Sequence, residues 1–212
     1  MKNLKQQIDE LNRDLAAQLP AAVLEVFAQS IQDLKGKNIE GKSVGINAIF
    51  PDFSLPNTAN ETVQLKTLLK KGKVVLAFFR GSWCPYCNLE LKALQHHLKQ
   101  LTDRQVSLVA ISPQMADYSK ELKADQQLDF DLLTDKNNTL AKQLGIDFGL
   151  QEEVIPVYES LGIKLPVYNG NDSNELPVPA VFVVDTGGRI TYRFADANYM
   201  NRLNIDELLE QL

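Results

Sequence analysis

The chain of 212 residues carries a formal net charge of -5, with 44% hydrophobic and 23% charged residues. That length allows one core of ordinary size plus a modest extension, and that composition excludes wholesale disorder. A mildly acidic surface with no dense basic cluster repels phosphate backbones, so nucleic acid is not an expected partner.

From the N-terminus, Leu4, Ile8, Leu11 and Leu15 recur at helical spacing and give one apolar stripe. Pro20 interrupts this helix, because proline lacks the N–H and disfavours a helical residue before it. A second apolar set (Val23, Val26, Phe27, Ile31, Leu34) runs to a stop at Gly36. Residues 1–40 are therefore expected to be an N-terminal helical extension, packed on the domain that follows or on a second copy of the chain, which makes a homodimer an open expectation. Asp9, Glu10 and Asp14 in a terminus without an apolar run do not read as a signal peptide. The longest apolar run, Val74 to Phe79, is too short to span a bilayer. No membrane association is expected, and the expected location is cytoplasmic.

Residues 44–212 alternate between strand and helix patterns and are expected to form the main domain. Val74–Phe79, Val106–Ile111 and Ala180–Val184 are continuous apolar runs, as in strands covered on both faces. Between the first two, Leu91, Leu94, Leu98 and Leu101 lie on one helical stripe, completing a β-α-β unit whose crossover should be right-handed. Asp185-Thr186-Gly187-Gly188 predicts a turn that folds Ile190–Phe194 back as the second arm of a hairpin. Asn204 is a plausible N-cap for a closing helix. The stretch 147–177 suggests one short helix and a polar loop, with no assigned role. The fold class expected from this pattern is α/β, a mixed central sheet flanked by helices.

Both cysteines of the chain fall in one segment, Trp83-Cys84-Pro85-Tyr86-Cys87, directly after a buried strand and at the opening of a helix. Unpaired N–H groups and the positive dipole end of a helix stabilise a thiolate there, and the thiolate is the reactive form. Two intervening residues in a first helical turn bring the sulfurs within disulfide reach. Pro85 falls at an early helix position where a missing N–H does little harm. Arg80, one short loop upstream, either adds positive charge beside the sulfurs or is a solvated loop arginine. The competing use of such a pair is half of a zinc site, but the only histidines are His96 and His97. At about 1.5 Å per residue they sit roughly 13–20 Å along the helix from the cysteines, too far to close a tetrahedral site. No metal site and no cofactor are expected within the chain; a metal or iron–sulfur centre shared across a dimer stays open.

Phe79-Arg80-Gly81-Ser82-Trp83-Cys84 with Cys87 resembles the active-site stretch of thioredoxins, and Pro85-Tyr86 matches the glutaredoxin version of that loop. The same segment is similar, without a gap, to that of the peroxiredoxin-like family (the alkyl hydroperoxide reductase and thiol-specific antioxidant type). In that alignment Cys87 takes the peroxidatic position, Cys84 that of a threonine, Arg80 that of a proline, and Glu90 that of the family's acidic residue. Pro51-Asp52-Phe53-Ser54-Leu55, Phe182-Val183-Val184-Asp185 and Tyr199-Met200-Asn201-Arg202 extend the likeness over residues 44–212.

The resemblance implies a thioredoxin-like fold and a thiol-dependent oxidoreductase cycling Cys84–Cys87 between dithiol and disulfide. It implies disulfide or peroxide substrates, an antioxidant activity, and a thiol reductant such as thioredoxin or glutathione. Disulfide exchange would use Cys84 as attacker, whereas peroxide reduction, by the alignment, would use Cys87. The peroxiredoxin arginine expected before the Phe182 strand is replaced by Pro179, which by likeness to thioredoxin is expected after a cis Val178–Pro179 bond beside Cys84. Thioredoxin's buried aspartate maps to Phe78, leaving Glu90 as either its substitute or a solvated glutamate. Trp83, Pro85, Tyr86, Arg80, Glu90 and Pro179 are thus candidate supporting residues. The alternative from another class is a thioredoxin-fold binding module, or a dimer-bridging metal protein, without turnover. The redox assignment requires both sulfurs at a helix start and within reach of a partner.

Overall fold

The apolar runs at 74–79, 106–111 and 180–184 become the three inner strands of one sheet in the computed structural model, which describes residues 2–212. The chain opens with α1 (Leu4–Gln18), α2 (Ala21–Gly36) and the short α3 (Ile39–Lys42). A hairpin of β1 (Ser54–Pro56) and β2 (Thr62–Gln64) and the turn of helix α4 (Leu65–Leu69) follow. The alternating section runs β3 (Val74–Phe78), α5 (Pro85–Asp103), β4 (Ser107–Ser112), α6 (Ala116–Asp125), β5 (Asp131–Thr134) and α7 (Thr139–Leu144). Then come β6 (Asp147–Gly149), α8 (Ile155–Ser160), α9 (Leu165–Asn169), β7 (Glu175–Pro177), β8 (Ala180–Val184), β9 (Ile190–Ala195) and α10 (Ile205–Glu210).

The main sheet has the order β5-β4-β3-β8-β9. β3, β4 and β5 are parallel, joined through helices, whereas β8 pairs antiparallel with both β3 and β9. Parallel strands need crossovers that cover the sheet, which explains why β3 is buried at every position. The expected hairpin forms: the Asp185 carboxylate accepts from the Gly187 and Arg189 N–H groups in the turn between β8 and β9. Asn204 caps α10 by accepting from the Asp206 N–H at 3.0 Å.

Side chains alternate across β3 and separate two apolar layers. Val74, Leu76 and Phe78 join Val109, Ile111 and Phe182 on one face, and Val75, Ala77 and Phe79 join Leu108, Ala110 and Val183 on the other. The break at Pro20 sends the first two helices to opposite layers. Leu4 and Ile8 of α1 are buried with Leu91 and Leu94 of α5, while Ile31 and Leu34 of α2 are buried too, Leu34 beside Ile39 and Tyr158. Leu4 and Ile8 of the α1 stripe are therefore spent within the chain, whereas Leu11 and Leu15 are only partly buried. The stretch 147–177 differs from expectation: it holds two short helices, and its ends pair as the two-stranded sheet of β6 and β7. Runs of three residues are too brief to show a strand period in sequence.

No helix among the described residues is long and apolar enough to cross a membrane. No cis peptide bond occurs among them either, so the Val178–Pro179 bond is trans, contrary to expectation. Trans is the lower-energy isomer, and the flanking backbone is already tied: Val178 N–H donates to Ile146 O, and Pro179 O accepts from Asp196 N–H.

Candidate active site

Strand β3 delivers the chain to its C-terminal edge, and Arg80 to Trp83 turn it into α5. Cys84 is the N-cap of that 19-residue helix and Pro85 its first residue. Gly81 adopts φ +156, and a Cβ there would collide with the Trp83 indole, so glycine is what lets the loop close under the ring. Buried Gln114 secures the loop: its Oε1 accepts from the Ser82 N–H at 2.7 Å, and its Nε2 donates to Ser119 Oγ at 2.9 Å. The Ser82 carbonyl in turn accepts from Asn88 Nδ2 of α5 at 2.9 Å.

Two buried guanidinium groups converge on the sulfurs. Arg80 Nη2 donates to Cys84 Sγ at 3.2 Å, and the Arg80 backbone N–H lies 3.5 Å from Cys87 Sγ. Arg202 Nη2 stands 3.5 Å from Cys87 Sγ and 4.0 Å from Cys84 Sγ. Each arginine is held by partners of its own. Arg80 Nη1 donates to Tyr158 OH at 2.9 Å, and its guanidinium sits 3.9 Å from the centre of the Tyr199 ring. Arg202 Nη1 pairs with Glu90 Oε2 at 2.7 Å, and its Nη2 donates to the Tyr199 carbonyl at 2.9 Å. A buried carboxylate leaves no uncompensated charge when a guanidinium faces it.

This arrangement sets the two thiols apart. Burial alone pushes the Cys84 thiol up, but the hydrogen bond from Cys87 and the charges of Arg80 and Arg202 outweigh it and hold Cys84 well below the usual thiol range. Burial and the adjacent Cys84 thiolate drive Cys87 the other way. Negative charge is thus favoured on Cys84, the sulfur that Arg80 touches, over Cys87. Burial also raises Glu90, against the opposing pull of Arg202.

The candidate residues divide clearly. Arg80, 3% exposed, is not a solvated loop arginine, and Glu90, 1% exposed, is not a solvated glutamate. Tyr86 OH donates to Asn12 Oδ1 of α1 at 2.6 Å, tying the extension to the motif. Trp83 is half-buried with its ring edge on Tyr158, and Pro85 is exposed. Pro179 is buried at the start of β8, and the places beside the sulfurs belong to Arg80 and Arg202. Arg202, Tyr158, Tyr199 and Gln114 were not singled out as site residues in the sequence. For Arg202 and Tyr199 the closing Tyr-x-x-Arg was the available signal; for Tyr158 and Gln114 there was none.

Both sulfurs have 0% exposure in this conformation, so one sequence-derived requirement, the helix start, is met, and the other is not. No substrate touches either sulfur until the cover of α1, α2 or the segment around Tyr199 moves. Among the described residues no cluster of three or more His, Cys, Asp or Glu is placed to hold a metal. His97 Nδ1 lies 2.8 Å from the Ala93 carbonyl one turn back on its own helix. Two guanidinium groups at the sulfurs further disfavour a cation there, which weighs against a dimer-bridging metal.

A mixed sheet with a dithiol at the join of a central strand and a helix defines a thioredoxin-fold oxidoreductase. The AhpC/TSA family model matches residues 46–193. The chain belongs to that family, and it is a thiol-dependent oxidoreductase of the peroxiredoxin-like kind. A Mycobacterium tuberculosis protein assigned to the peroxiredoxins is 30% identical over 106 residues, 50% of this chain and 69% of the relative. A bcp protein of Coxiella burnetii, assigned likewise, is 31% identical over 104 residues, 49% of this chain and 68% of its own length. Among solved structures, peroxidoxin BcpB of M. tuberculosis superimposes with a TM-score of 0.61 at 22% identity, over 78% of this chain and 94% of its own. A mutant form of PrxQ from Xylella fastidiosa gives 0.62 at 13% identity, over 79% and 94%. Both structures share the fold of this chain.

Proposed function

We propose that the chain reduces peroxides through a Cys84–Cys87 cycle, with Cys84 as the attacking thiolate. The observation that carries this is the 3.2 Å contact of Arg80 Nη2 with Cys84 Sγ, which supports the charge on that sulfur rather than on Cys87. The family alignment favours Cys87 for the peroxidatic role, and the placement of Arg80 argues the reverse. The Cys84 thiolate attacks the terminal oxygen of the hydroperoxide; the S–O bond forms as the O–O bond breaks. The displaced alkoxide leaves as an alcohol after taking a proton from water, and Arg80 supports its charge as it develops. Cys87 then attacks the sulfenic sulfur of Cys84, expels water and closes the disulfide. A dithiol reductant of the thioredoxin type reopens it by exchange. Residues 44–212 carry this chemistry and residues 1–40 cover it; a reducing compartment such as the cytoplasm would keep the pair cycling.

Mass spectrometry of dimedone-trapped protein tests the assignment. In Cys87→Ser, peroxide should leave one sulfenic acid, on Cys84, while Cys84→Ser should lose at least a hundredfold in peroxide-dependent turnover. A sulfenic acid on Cys87 in Cys84→Ser, formed at the rate of the unmodified chain, would reverse the roles. Oxidation of the pair by disulfides with no peroxide rate at all would make the protein a disulfide reductant.

A further inference from the structure

Tyr86, one of the two residues between the cysteines, is fastened from outside the family-matched span. Its OH donates to Asn12 Oδ1 of α1 at 2.6 Å, and Asn12 lies well before residue 46. Tyr86 is 5% exposed, and burial together with the charge at Cys84 raises its phenol, so it remains a donor. By local rules Asn12 is an odd choice. Asparagine is a weak helix former in the interior of a 15-residue helix, because its amide competes for backbone groups. Here the side chain answers the phenol of the motif instead. A residue that costs its helix and satisfies the active-site loop points to the loop as its reason.

From Tyr86 the contacts run on to both guanidinium groups. The Tyr86 ring meets Tyr199 edge-on at 5.5 Å, and Phe27 of α2 braces Tyr199 at 6.5 Å. The Tyr199 ring carries Arg80 at 3.9 Å, and its carbonyl accepts from Arg202 Nη2 at 2.9 Å. These are the arginines at the sulfurs, with Arg80 Nη2 3.2 Å from Cys84 and Arg202 Nη2 3.5 Å from Cys87. Both cysteines are free thiols in this structure. A guanidinium gains from a thiolate and has nothing comparable to gain from a neutral disulfide. Whatever holds the arginines in place therefore favours the dithiol and makes the disulfide easier to reduce.

We infer that Asn12 is a positioning residue of the redox centre: through Tyr86 and Tyr199 it holds Arg80 and Arg202 against the sulfurs, and the extension thereby shifts the Cys84–Cys87 equilibrium towards the dithiol. The shift is the same whether a peroxide or a disulfide is the oxidant, so the inference stands apart from the peroxide cycle proposed above.

Equilibration of the full-length protein in glutathione buffers of graded redox ratio tests this, with the oxidised fraction measured by thiol labelling and mass spectrometry after acid quench and denaturation. Two glutathione thiols give one glutathione disulfide as the Cys84–Cys87 bond opens, so two electrons pass to the protein. The thiol protons go to Cys87 and, where Cys84 stays a thiolate, to solvent. Asn12→Ala should lower the equilibrium constant for reduction about fivefold, the ratio that ~1 kcal/mol for one hydrogen bond corresponds to. Alanine is the best helix former, so α1 is not put at risk. Tyr86→Phe should give the same shift, and the double variant no more than either single one. A contact that only fastened α1 would act on dithiol and disulfide forms alike and leave the constant where it is. An unchanged constant in Asn12→Ala, a shift towards the dithiol, or single-variant shifts that add in full in the double variant overturns the inference.

Discussion

Two arginines in one buried pocket can both stay charged only because each faces a group that answers it. Arg80 has the Cys84 thiolate and the Tyr199 ring; Arg202 has Glu90. Replacing Arg80 by methionine removes the charge nearest Cys84, the sulfur proposed to attack, and peroxide turnover should then fall about a hundredfold, the scale of losing one preorganised donor. The pH profile separates this from simple damage. Because the folded Cys84 pKa is depressed, the thiolate persists below the ~8.5 of a free cysteine, and the rate falls only as pH drops through the lowered value. In Arg80→Met that rising limb should move to higher pH, read by thiolate absorbance or by pH-dependent alkylation. The same sign governs stability. The contribution of the thiolate is present above the unfolded pKa and is lost as pH falls through the folded one.

The Glu90–Arg202 pair makes a second case at this scale. Arg202→Met leaves a fully buried carboxylate unpaired and should cost about 3 kcal/mol in denaturant unfolding. Adding Glu90→Gln to that variant should recover part of the loss, because the stranded charge goes with it.

At the scale of elements, the extension acts as a clamp over the motif. α1 is tied through Asn12 to Tyr86, and α2 sets Phe27 edge-on to Tyr158 at 6.1 Å and to Tyr199 at 6.5 Å. Tyr199 in turn covers Arg80. Phe27→Ala removes the ring that keeps Tyr158 and Tyr199 in place, and the thiols should react several-fold faster with N-ethylmaleimide at equal protein stability. A labelling rate identical to that of the unmodified chain would place the moving cover elsewhere. Local opening of this kind draws on elements with few tertiary contacts, which the two-helix extension supplies more readily than the sheet.

Across the whole molecule, the sheet is the rigid reference that the site depends on. Phe182 is fully buried, with Phe50 at 5.5 Å and Phe78 at 6.0 Å, all edge-on. Phe182→Ala should cost about 4 kcal/mol and lower Tm by roughly 10 °C for a chain of this size, measured by calorimetry on the reduced protein. Strand β3, buried at every position, carries that rigidity directly to Arg80 and the motif.

What the sequence by itself determined follows from local rules. The apolar runs of β3, β4 and β8 carry their own strand signal, Pro20 divides α1 from α2, and the C-x-x-C spacing at a strand–helix join specifies the dithiol. Each depends on residues close in the chain. The trans bond at Pro179, the burial of Arg80 and Glu90 and the entry of Arg202, Tyr158 and Gln114 into the site were decided only by tertiary structure. Gln114, Tyr158 and Arg202 lie 34, 78 and 122 residues beyond Arg80, and no periodicity or spacing records which of them will meet. The protonation order of the two thiols belongs to the same class, because it depends on where two guanidinium charges come to rest once water has been excluded.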